Sequence, residues 1–195
     1  YPPSGGGSAE AVYLVKELVN RGHEVHLFCP DFPDRKQIAA RFGIRIHPFT
    51  RWKMGRYTRF RSLKYLAYPG ALRKLVLRAS RDFQFDALFS QHAISAVAAG
   101  KLKSDLNIPV VMNFLDYLTG FMESWPRWVM PRVVLNRLMR FELNLPSRYD
   151  ANAVLTVSTE LARRFIENGY PESRIQTIHY GYDSTLFRPT LPSSP

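Results

Sequence analysis

The chain has 195 residues, 27 of them Lys or Arg against 16 Asp or Glu, for a formal charge of +11; 46% is hydrophobic and 13% aromatic. That apolar content excludes intrinsic disorder, no sustained repeat supports a collagen or coiled-coil reading, and the single Cys29 excludes a disulfide framework. No apolar run approaches the ~20 residues needed to cross a bilayer and the first residues do not read as a leader, so the expectation is one domain with a core of its own, in a reducing, cytoplasmic setting.

In chain order, residues 1–7 are a Pro- and Gly-rich loop. The next stretch, residues 9–21, carries Ala11, Leu14, Val15, Leu18 and Val19 at helical spacing, with Ser8 as N-cap and Gly22 as left-handed stop. Short strands are predicted at residues 24–29 and 43–47. Between Asp34 and Asp82 there is no acidic residue, while Arg35, Lys36, Arg41, Arg45, Arg51, Lys53, Arg56, Arg59, Arg61, Lys64, Arg73, Lys74, Arg78 and Arg81 fall there. After a break at Pro69-Gly70, Leu72, Leu75, Val76 and Ala79 form a helical stripe with Arg73, Lys74, Arg78 and Arg81 off it, and Trp52, Tyr57, Phe60, Tyr65 and Tyr68 lie interleaved upstream. The segment suits an anionic membrane surface, with those four cations as contacts. Nucleic acid is the rival partner, unaccompanied by any recognised binding motif, and a plain solvated face is the third reading.

The alternation then resumes. Strands are predicted at residues 86–90, 109–114, 153–157 and 174–178, with helices at 93–106 and 158–168, the latter stopped at Gly169. A long helix carries Met130, Val134, Leu138, Phe141 and Leu145. Apolar strands separated by helices imply an α/β fold, a Rossmann-like parallel sheet with helices on both faces. No strand precedes the glycine loop, which in such a sheet follows the central first strand, so the chain is expected to lack its first strand; residues 190–195 read as a linker. Residues 116–128 are dense in aromatics, and with Arg127, Arg132, Arg137 and Arg140 they form either a lid or lipid-contacting edge, or a pad in which Trp125 and Trp128 pack the long helix onto the sheet.

Glycines let backbone N–H groups approach a ligand, and a helix N-terminus favours an anion, so Gly5, Gly6 and Gly7 suit a phosphate or diphosphate; the alternative is a plain structural turn. The spacing is not that of a dinucleotide loop, since Glu10 replaces its third glycine, and this disfavours a nicotinamide oxidoreductase.

Six ordered blocks carry a resemblance: residues 1–7; Leu18-Val19-Asn20-Arg21-Gly22-His23-Glu24-Val25; Asp86-Ala87-Leu88-Phe89-Ser90-Gln91-His92; Ile108-Pro109-Val110-Val111; Ala153-Val154-Leu155-Thr156-Val157-Ser158; and residues 175–183 with Phe187-Arg188-Pro189. Together they resemble the N-terminal domain of group 1 (family 4) glycosyltransferases of the GT-B fold. The resemblance implies that residues 1–189 are the acceptor-binding half of a retaining enzyme. The absent half would grip a nucleotide-sugar co-substrate through a Glu-x7-Glu signature that this chain does not contain, and no metal or other cofactor is expected. It also implies glycan or glycolipid synthesis at the inner face of a membrane, with this half inactive alone. The substrate-binding candidates are Gly5, Gly6, Gly7, His92, Asn113, Asp116 and Ser158. His92 ends a strand at the ligand-binding edge or packs a helix start; Ser158 is an N-cap or part of an acceptor pocket; Asp116 takes an acceptor hydroxyl or is an exposed turn residue. Many family members have a histidine near Leu115, a departure that loosens any acceptor assigned by analogy. Glu142 reads as a salt-bridging surface residue. No residue is singled out as catalytic, and the rival function is a non-catalytic phosphate- or nucleic-acid-binding module.

Overall fold

The computed structural model describes residues 6–49, 61–117 and 119–181. Trp52, Tyr57, Phe60, Arg51, Lys53, Arg56, Arg59, Gly5 and the proposed linker at 190–195 lie outside them. Six parallel strands alternate with helices: α1 (Gly6–Asn20), β1 (His26–Pro30), α2 (Arg35–Phe42), β2 (Arg45–Phe49), α3 (Arg61–Ala79), β3 (Leu88–Gln91), α4 (His92–Leu106), β4 (Val110–Phe114), α5 (Arg132–Leu143), α6 (Leu145–Arg148), β5 (Ala153–Thr156), α7 (Thr159–Glu167) and β6 (Ile175–Thr177). One 3-10 segment, Gly120–Ser124, precedes α5 and another, Glu172–Arg174, precedes β6. β3-β4-β5-β6 form one sheet, in register through Leu88 with Val110, Val111 with Ala153, and Val154 with Ile175; β1 and β2 form a two-stranded ribbon. The parallel α/β class expected from the sequence is thus present.

The core belongs to the four-stranded sheet. Val110, Met112, Phe114, Leu145, Val154 and Phe165 are fully enclosed, each worth roughly 1.5–3 kcal/mol of burial, and the Phe114 and Phe165 rings meet at 4.7 Å. On α7 the inward face is Leu161, Ala162 and Phe165, while Arg163 bridges Glu160 and Glu167 on the solvent side. α4 meets its neighbours through Ala93, Ala96, Ala98, Ala99 and Gly100, small residues that permit close approach. Tyr170 closes the far end of the core by donating its hydroxyl to the Ala151 carbonyl at 2.8 Å.

Several expectations are corrected. α1 starts at Gly6, which puts Ser8 inside the first turn rather than at the cap. Pro69 and Gly70 lie inside α3: an interior proline removes one helical hydrogen bond, but Pro69 is buried and Leu72, Val76 and Ala79 continue the buried stripe beyond it, so packing overrides the break. The basic segment includes a helix, α2, that periodicity did not reveal. Its Arg73 is held bidentately by Asp105 of α4 at 2.6 and 2.7 Å, whereas Lys74, Arg78 and Arg81 are exposed. The long helix turns the other way: Leu135, Glu142 and Leu143 face inward, and Val134, Leu138 and Phe141 face out. Trp125 and Trp128 are 40% and 86% exposed and pack no helix onto the sheet.

The ribbon carries its own aromatic cluster. His47 stacks between Phe28 (4.5 Å) and His26 (5.1 Å), Phe83 and Phe85 meet His26 edge-on, and the two histidines are hydrogen-bonded at 3.0 Å between His47 Nε2 and His26 Nδ1. Glu24 accepts from both His26 Nε2 and Arg45. Burial, then the neighbouring His26 and Arg45, lower the affinity of His47 for a proton. The unfolded chain therefore binds more protons just below the free histidine pKa of about 6.5, and this contribution to stability is complete above that pH and lost as pH falls through it. The urea midpoint should drop between pH 7 and pH 5, and His47→Phe should flatten that slope. Burial pushes the Cys29 thiol on β1 up to about 11, which keeps it unreactive at neutral pH.

Candidate functional site

At the carboxyl edge of the four-stranded sheet, β3 passes into α4 through a sharp elbow. Its residue, His92, has φ +68°, a left-handed conformation uncommon outside glycine that costs on the order of 1–3 kcal/mol and persists only where the surroundings hold it. What holds it includes Asp116, two residues beyond β4, whose Oδ1 lies 3.3 Å from His92 Nδ1. That hydrogen bond keeps the Asp116 carboxyl below the usual carboxylate range, against a partial desolvation that works the other way. Two of the residues predicted from sequence are thereby one pair.

The next strand brings in a third. Asn113 is 3% exposed and donates its Nδ2 to Glu10 Oε1 at 2.8 Å, while Gln91 at the end of β3 reaches the other Glu10 oxygen at 3.4 Å. Glu10 lies one turn into α1, so its carboxylate pins the start of that helix across the ends of β3 and β4. Gly6 and Gly7, its first residues, sit about 6 Å back along the helix axis, where the amide groups of a first turn have no partner within the helix. Tyr180, more than half exposed, also belongs here: its phenol is raised first by desolvation and then by the carboxylates of Glu10 and Asp116.

Ser158 takes the simpler of its two expected roles. It is the N-cap of α7, accepting the Leu161 amide at 3.2 Å. Glu142 departs from expectation altogether: it is 3% exposed and accepts from both the amide (2.9 Å) and the hydroxyl (2.8 Å) of Thr119. The carboxylate anchors the segment that follows Asp116 to α5. Its inward spacing with Leu135 was present in the sequence but masked by the stronger apolar row on the opposite side. Glu10, Gln91 and Tyr180 were missed as site residues. An acidic residue early in a helix is explained by the helix dipole alone, and only the folded chain brings it onto Asn113.

The arrangement offers two carboxylates, two amides, an imidazole and a phenol around the start of a glycine-led helix. Such a set accepts and donates hydrogen bonds to a polyhydroxyl compound and tolerates an anion at the helix end. Among the described residues no group of three or more His, Cys, Asp or Glu is arranged to hold a metal ion. A separate open crevice of about 520 Å³, lined by residues 31–37, follows β1 and contains none of these groups.

A family model described as Glycosyltransferase Family 4 matches residues 4–186. No curated protein matches the chain. Among solved structures, the Anabaena protein Alr3699/HepE, determined in complex with UDP and glucose, superposes with a TM-score of 0.60 at 19% identity over 97% of this chain and 45% of its own. The glycotransferase of kitacinnamycin (TM-score 0.55, 14% identity, 94% and 51% coverage) and CalG4, the calicheamicin glycosyltransferase (0.54, 14%, 90% and 49%), are similar in the same sense. The chain therefore spans about half the length of the proteins whose fold it shares.

Proposed function

The chain belongs to glycosyltransferase family 4, and from that premise we propose that it is the acceptor-binding lobe of a retaining glycosyltransferase that uses a nucleotide-sugar and needs no other cofactor. The observation that carries this reading is the His92–Asp116 pair beside the glycine-led start of α1, on the sheet edge where ligands of open α/β folds gather. HepE was solved with UDP-glucose, which supports a nucleotide-sugar donor for the fold.

In this assignment the free edge of the Asp116 carboxylate accepts a hydrogen bond from the acceptor hydroxyl. His92 orients it, and the amides of Gly6 and Gly7 face a phosphate of donor or acceptor. Preorganised donors of this kind act where negative charge develops on the departing diphosphate. We assign the enzyme to glycan or glycolipid assembly at the cytoplasmic face of an anionic membrane, because just over half of the positive charge is concentrated in residues 35–81.

The test is transfer by the whole gene product, with UDP-glucose as first donor and release of UDP as readout. Asp116→Asn and His92→Ala should each lower kcat/KM by about 10–100-fold, the worth of a hydrogen bond to a charged group, with Glu172→Gln as a surface control. Full activity in both variants removes the site from the mechanism, and turnover of no nucleotide-sugar removes the function.

A further inference from the structure

We infer that the outward face of the segment from Trp125 to Phe141 is the surface by which the protein lies in an anionic bilayer. The inference rests on the membrane reading above but places the contact away from α3. Trp125, Trp128, Val129, Val133, Val134, Leu138 and Phe141 are all between 37% and 86% exposed, and they are consecutive among the exposed large apolar side chains of the described residues. On α5, Val133, Phe141, Val134 and Leu138 fall within an arc of about 140°, and the buried Leu135, Glu142 and Leu143 occupy the remaining side of the helix. A helix apolar on both sides is ordinarily enclosed; here one side is covered by the fold and the other is left to solvent.

The charge pattern identifies the occupant. From Trp125 to Phe141 there is no acidic residue, and Arg127, Arg132, Arg137 and Arg140 are all exposed, with Arg137 inside the apolar arc and Arg140 at its rim. Tryptophan and arginine side chains bordering aliphatic ones match the headgroup boundary of a bilayer, where guanidinium groups meet phosphate and indoles sit at the interface. A second copy of this basic face would bring like charges together. No helix among the described residues is long and apolar enough to span, so the contact is one of lying on the surface. Glu142, on the inward face of α5, holds Thr119, three residues beyond Asp116, which ties the helix carrying this face to the segment that leaves the candidate site and favours an acceptor presented from the membrane.

The experiment is sedimentation of the full-length protein with vesicles of phosphatidylcholine alone and of phosphatidylcholine with phosphatidylglycerol. Binding should require phosphatidylglycerol. Trp125→Ala/Trp128→Ala/Phe141→Ala should weaken it by about tenfold or more, and Arg127→Gln/Arg132→Gln/Arg137→Gln/Arg140→Gln should abolish the anionic preference. Because these side chains are exposed, circular dichroism of the variants should match the parent. Fluorescence quenching by a nitroxide-labelled lipid should reach Trp128, seen as the difference from Trp128→Phe. Undiminished binding of the aromatic variant, or an unquenched Trp128, overturns the inference. If Lys74→Glu/Arg78→Glu/Arg81→Glu alone abolishes binding while the aromatic variant binds fully, the membrane reading stands and this surface does not. Absence of vesicle binding removes both, and a lipid-free dimer that the aromatic variant dissociates assigns the face to a second copy instead.

Discussion

Gly100→Ala lowers the stability of the folded chain by about 3 kcal/mol, at the upper end of what overpacking a core costs. Alanine in a helix interior ordinarily gains roughly 0.5–1 kcal/mol over glycine, so the expected sign is reversed. The reason is Tyr149, just past α6: a Cβ at position 100 would stand 2.2 Å from its Cγ, 2.5 Å from Cδ2 and 2.6 Å from Cβ. Rotating the ring cannot clear the last of these, because Cβ is the root of the side chain. α4, whose first residue is His92, must move off α6. Gly70→Ala in α3, where nothing lies within 4 Å of the new atom, is the control and should gain stability. Urea titration of the two variants decides the matter: equal midpoints would mean that α4 and α6 yield freely.

Glu142→Ala is expected to cost a similar amount, about 3 kcal/mol, by a different route. Two buried donors, the amide and hydroxyl of Thr119, lose a charged acceptor at 2.9 and 2.8 Å, and a hydrogen bond to a charged group contributes about 1.5–3 kcal/mol. Glu142→Gln keeps one accepting oxygen and should lose less than half as much. Since Thr119 immediately precedes the 3-10 segment that follows Asp116, the alanine variant should also be cut faster by trypsin at Arg127. Parent-like thermal midpoint and cleavage rate would show that α5 alone holds this segment.

These two positions also mark where sequence reasoning stopped. Periodicity located every strand among the described residues, because an apolar run between helices has few uses other than a buried strand, but β1 and β2 begin two residues later than predicted: apolarity reports burial, whereas the ladder follows pairing between His26 and Arg45. The long helix expected from Met130 to Leu145 is shorter, Arg132–Leu143, because Leu145 begins α6, and its inner face is the other one, since its outer row is the more apolar of the two. His92, Asn113 and Asp116 were legible because a residue leaving a parallel strand arrives at the ligand-binding edge whatever the rest of the fold does. Glu10 was not, because its partners Asn113 and Gln91 are joined to it only by the folded chain. Nothing local to Arg73, one of the four cations assigned to an anionic membrane surface, hints at its pairing with Asp105, one helix away.

The register of the sheet has a consequence for how the chain assembles. Pairing Val111 with Ala153 closes a loop about twice as long as pairing Leu88 with Val110 or Val154 with Ile175, which adds about 0.6 kcal/mol of closure entropy. Two shorter crossovers, β3-α4-β4 and β5-α7-β6, therefore nucleate more cheaply than the seam between them. During synthesis the amino-terminal crossover can form while its counterpart is still emerging. The seam joins last, drawing Asn113 up beside Leu155, so the ligand-facing rim is completed only when the two halves dock.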